Sequence, residues 1–92
     1  MKIYYSKNIS WQLIDNQIFI IDEVTKKEFT LKEIGKEFWI LIKSHNLYKE
    51  IVEILSEQYD VANDIITSDL KEFVEDLISK KLLTKGEDCY ES

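Results

Sequence analysis

Ninety-two residues suffice for one domain with a single modest core, and 45% hydrophobic against 33% charged residues is a globular balance rather than a disordered one. A formal net charge of −6, with all twelve basic residues lysine, weighs against a nucleic-acid surface, which favours a basic face and bidentate arginine. The single cysteine, Cys89, excludes an internal disulfide and a thiolate metal site, and no stretch approaches the roughly 20 apolar residues of a membrane span, so a cytoplasmic protein is expected.

Residues 1–8 carry Ile3, Tyr4 and Tyr5 beside lysine and serine, a pattern compatible with a frayed lead-in or a short extra strand. From Ile9 the chain alternates, with Ile9, Trp11 and Leu13 on one face and Ser10, Gln12 and Ile14 on the other, the period of a half-buried strand. Asp15-Asn16 breaks the alternation, and both residues tolerate positive φ, so residues 14–17 read as a two-residue hairpin turn. Ile18-Phe19-Ile20-Ile21 is apolar at every position, as expected of a central strand covered on both faces. Residues 22–27 are a polar hairpin connection, and Glu28-Phe29-Thr30-Leu31 returns as a third strand. A simple meander makes this third strand an edge.

Thr30-Leu31-Lys32-Glu33 has capping-box spacing, so a helix is expected to start there, with Ile34, Phe38, Leu41 and Ile42 as its apolar stripe and Trp39 and Ile40 widening it. Gly35 inside that helix costs about 1 kcal/mol relative to alanine, which points to a close approach by another backbone. Asn46 is expected to cap a second helix, with Leu47, Ile51, Ile54 and Leu55 inward, ending near Gln58-Tyr59. Asn63 or Asp64 is expected to cap a third, along which Ile66, Leu70, Phe73, Val74, Leu77 and Ile78 recur at helical spacing beside an acidic exposed side. Leu82-Leu83 closes the core, giving one domain over residues 1–86 and a disordered acidic tail over 87–92. The expected class is α+β: a three-stranded antiparallel sheet followed by three helices, winged-helix-like.

The inventory for catalysis is thin. His45 is the only histidine and falls in a loop, Cys89 falls in the tail, and two glycines, Gly35 and Gly86, cannot make a phosphate loop. Carboxylate pairs such as Asp69 with Asp76 read as a solvated face, and Trp11 and Trp39 as core anchors. No enzyme, cofactor or metal is expected. The feature left is the edge of the third strand, which Lys26 and Lys27 either blunt against unwanted pairing or leave ready for an added peptide strand.

Taken in order, Trp11, Ile18 to Asp22, Phe29-Thr30-Leu31, Ile34 to Leu41, Ile51-Val52 through Tyr59, Asp69-Leu70, Phe73 to Leu77 and Leu82-Leu83 resemble the PqqD-like family over about residues 9–83. Its members are RiPP recognition elements, the leader-peptide-binding domains of ribosomal peptide biosynthesis. The resemblance implies that a precursor's leader peptide adds as a strand to the third strand, in a groove bordered by the third helix. Carried onto this chain, the peptide-binding residues are Val24, Lys27, Glu28, Phe29 and Thr30 with Asp69, Glu72, Phe73 and Asp76. The family often has an asparagine after the third-strand leucine and a glycine before the closing leucines, where this chain has Lys32 and Lys80-Lys81. Free-standing members resemble the leader-binding subunits of split lasso-peptide proteases, the favoured type, or peptide chaperones of radical SAM enzymes. The implied partner is a separate maturation enzyme, either a transglutaminase-like leader peptidase or a radical SAM enzyme. The rival readings are a winged-helix DNA-binding regulator and a purely structural subunit.

Overall fold

The computed structural model describes residues 1–86, so the expected acidic tail lies outside the described residues. Strands β1 (Lys2–Tyr5), β2 (Ile9–Ile14), β3 (Gln17–Asp22) and β4 (Glu28–Leu31) precede helices α1 (Glu33–Ile42), α2 (Tyr48–Tyr59) and α3 (Asn63–Ser79), and β5 (Leu83–Gly86) follows. The predicted meander forms as an antiparallel sheet in the order β2-β3-β4. Its first turn places Asp15 at φ 52° and Asn16 at φ 63°, the left-handed pair of a type I′ hairpin. In the second turn the Asp22 carboxylate accepts from the backbone N–H groups of Val24 (2.8 Å) and Thr25 (3.1 Å), and Lys26 takes the left-handed position at φ 66°.

The helices cover one face of this sheet only. Ile18 and Ile20 point into the core at 0% and 1% exposure, whereas Phe19 is 41% exposed on the opposite face. The expectation that β3 is covered on both faces is therefore corrected. The core is completed by Phe38, Trp39, Ile51, Leu55, Val74 and Leu77 from the three helices.

None of the three expected caps forms. Thr30 stays in the β4 ladder opposite Phe19, so it cannot cap, and α1 starts instead after Lys32 with Glu33 at φ 53°. Leu47 rather than Asn46 precedes α2, and Ala62 rather than Asn63 or Asp64 precedes α3, each without a side-chain cap bond. The Asn46 carbonyl is instead engaged by the Ile3 N–H at 2.8 Å.

Residues 1–8 resolve into a strand. β1 pairs antiparallel with β5, from Lys2 opposite Gly86 to Tyr5 opposite Leu83, as a separate two-stranded sheet that drives Ile3, Leu82 and Leu83 into the core. The Tyr5 hydroxyl donates to the Trp39 carbonyl at 2.5 Å, and the rings of Tyr5, Trp11 and Trp39 pack in tilted and edge-on contacts with centroids 4.9 to 6.1 Å apart. Trp39 is fully buried, and Trp11 is half-buried against it, as expected of core anchors.

Candidate functional site: an open strand edge beside a helix

The Asp22 N–H donates to the Lys27 carbonyl at 2.9 Å, which fixes the phase of the β3–β4 ladder. By the alternation of an antiparallel pair, Phe29 and Leu31 direct their backbone groups at β3, while the N–H and C=O of Glu28 and Thr30 point away from it. Among the described residues no strand pairs with that outer side, and neither β1 nor β5 covers it. The edge offers two donors and two acceptors.

Beside the edge lies a groove of about 470 Å³. One wall is Thr30 to Gly35, running off β4 into α1, and the other is Val61 with Ile66, Asp69, Leu70 and Phe73 of α3. Its depth depends on Gly35, where an added Cβ would stand 3.1 Å from Phe73 Cζ. The neighbour that Gly35 admits is thus an aromatic ring and not a second backbone, a correction to the sequence reading. Phe73 also packs edge-on against Phe38, with centroids 5.9 Å apart, so the ring is held from behind while its remaining surface faces the groove. Farther along β4, Lys80 Nζ sits 5.8 Å from the Phe29 ring and 2.9 Å from the Asp76 carboxylate.

Of the residues expected to bind peptide, Glu28, Phe29 and Thr30 form β4 and Lys27 leads into it. Asp69 and Phe73 line the groove, and Asp76 approaches Phe29 through Lys80. Glu72 is exposed on α3 and does not line the groove, and Val24, 71% exposed, sits in the β3–β4 turn away from it. Leu31, Ile34, Gly35, Val61, Ile66 and Leu70 also line the groove and were not anticipated. Of these, Ile34, Ile66 and Leu70 were legible as apolar positions but read as the inward stripes of their helices.

Among the described residues no group of three or more His, Cys, Asp or Glu side chains is placed to hold a metal ion, and no helix is long and apolar enough to cross a membrane. His45 is half-exposed, with Nδ1 3.6 Å from Glu50 Oε1 on an acidic flank of α2 that takes no part in the groove.

A family model described as coenzyme PQQ synthesis protein D (PqqD) matches residues 17–83. Among solved structures, TbiB1 in complex with the TbiA(beta) leader peptide is 27% identical, with a TM-score of 0.85 over 96% of this chain and 100% of that one. Lasso peptide synthetase B1 complexed with the leader peptide superposes with a TM-score of 0.83 over 92% of this chain and 100% of that one; at 13% identity it bears on the fold alone. A search among curated proteins finds no match.

Proposed function

The chain belongs to the PqqD family, and from that premise we propose that it binds the leader segment of a ribosomally synthesised precursor peptide by strand addition to β4, leaving the chemistry to a separate enzyme. The observation that carries this reading is the outer side of β4, which no strand among the described residues pairs with, beside the Phe73 groove. An added strand would satisfy the outward groups of Glu28 and Thr30, while alternate side chains of the peptide would enter the groove and select sequence. The likeness to TbiB1, whose structure holds a leader peptide, supports the same occupant here.

The maturation enzyme that receives the bound leader is, on this reading, a transglutaminase-like leader peptidase of the lasso-peptide type, with a radical SAM enzyme as the alternative, and the complex works in the cytoplasm. The rival reading as a DNA-binding regulator finds no support: the exposed side of α3 carries Asp69, Glu72, Glu75 and Asp76 where a recognition helix needs cations.

Titrating the precursor's leader peptide into isotopically labelled protein is expected to shift the amides of Lys27 to Leu31 and of α3. Shifts that spare β4 would overturn the placement. Glu28→Pro removes an outward donor without touching the ladder to β3, so it is expected to weaken leader binding about tenfold while leaving the thermal midpoint within a few degrees.

A further inference from the structure

A second, separate basin of about 740 Å³ is bounded by Val24 and Thr25 of the β3–β4 turn, Ile78 and Lys81 at the end of α3, the Ser6–Asn8 connection, and β5. Three lysines line it, Lys7, Lys81 and Lys85, against one carboxylate, Asp22. That carboxylate is already engaged by the N–H groups of Val24 and Thr25. The lysines are exposed, and among the described residues none of the three is ion-paired. On a chain of net charge −6, this is a concentration of cations at one end of the peptide track, whereas Asp69 lines the other end.

The order along the track is set by α3. Ile66 to Phe73 face Thr30 and Leu31, Lys80 faces Phe29, and Ile78 and Lys81 face the turn at Val24 and Thr25. A peptide laid along β4 and continuing past Glu28 is therefore aimed at the lysine basin.

We propose that Lys7, Lys81 and Lys85 form a second recognition subsite, which takes an acidic stretch of the precursor lying immediately beyond the segment that pairs with β4. This rests on the strand-addition reading. Three lysine–carboxylate contacts at an exposed site, each giving about a two- to threefold gain, together amount to about tenfold in affinity at low salt, and the gain falls as salt screens it.

The probe is a displayed library of random dodecapeptides, selected on the full-length protein at low salt and sorted for binders that shift the Glu28 and Thr30 amides. Those binders are expected to be enriched in aspartate and glutamate on one side of the pairing segment. Changing their acids to amides should weaken binding to the native protein about tenfold, and to the triple variant Lys7→Gln, Lys81→Gln, Lys85→Gln not at all. The variant changes only side chains that are exposed and, among the described residues, without an ion pair, and an unaltered thermal midpoint verifies its fold. Binders that engage β4 without acidic enrichment, or that bind native protein and variant equally, overturn the subsite alone. A library yielding no binder that moves the β4 amides overturns strand addition itself.

Discussion

Gly35 is where one residue decides how deep the groove is. A methyl group there would stand 3.1 Å from Phe73 Cζ, so the ring must give way by a few tenths of an ångström, and with Phe38 packed edge-on against it a shift into the groove is the expected response. Gly35→Ala also gains about 1 kcal/mol of helix propensity, which offsets the crowding. The expected outcome is a stability within about 1 kcal/mol of the parent by thermal melting, with leader affinity lowered about fivefold by fluorescence anisotropy. Asp22 offers a second test at the same scale. The N–H groups of Thr25 and Val24 stabilise its charged form and hold its pKa below the usual carboxylate value. A folded-state pKa below the unfolded one contributes stability that is present above about pH 4 and is lost as pH falls through the lowered folded value. The Val24 and Thr25 amide shifts should accordingly titrate with a midpoint below that of an unstructured aspartate, and Asp22→Asn should abolish that titration.

At the scale of elements, local pattern carried the sequence reading a long way. The alternation at 9–14, the Asp15-Asn16 break and the helical spacing of Ile66, Leu70, Val74 and Leu77 depend on neighbours in the chain, and all three elements form where expected. What failed depends on distant partners. The pairing of β1 with β5 joins residues some eighty positions apart through two four-residue strands, too short to declare themselves without each other. Phe19 misled because a run of four apolar residues says nothing about how many faces are covered. Thr30 had the spacing of a cap but was already held by the sheet. The groove was half legible for the same reason: β4 announced an edge, but which α3 residues line its groove is set by helix packing. The weight of the β1–β5 pair is testable. Ile3 is fully buried, so Ile3→Ala is expected to destabilise the fold by about 3 kcal/mol in chemical denaturation, despite its position near the amino terminus.

At the scale of the molecule, the terminal sheet is knit to the helices through Tyr5. Burial raises its phenol to about 12, partly opposed by a backbone hydrogen bond at Lys43, because the phenolate would be poorly solvated beside Trp39. A folded pKa above the unfolded value of about 10 means that the contribution is complete below pH 10 and is lost as pH rises towards the folded value. A loss of melting temperature between pH 10 and 12 that Tyr5→Phe removes is the expected result.

Lys2 and Gly86 are cross-strand partners, which puts the way into this fold and the way out of it about 5 Å apart. A unit built so can be carried as an insertion in a surface loop of some larger host, since the host's backbone would need to part by little more than one residue's span. The doorway belongs to the terminal sheet, whereas the edge proposed to receive peptide is β4, so a tethered copy would keep that edge open.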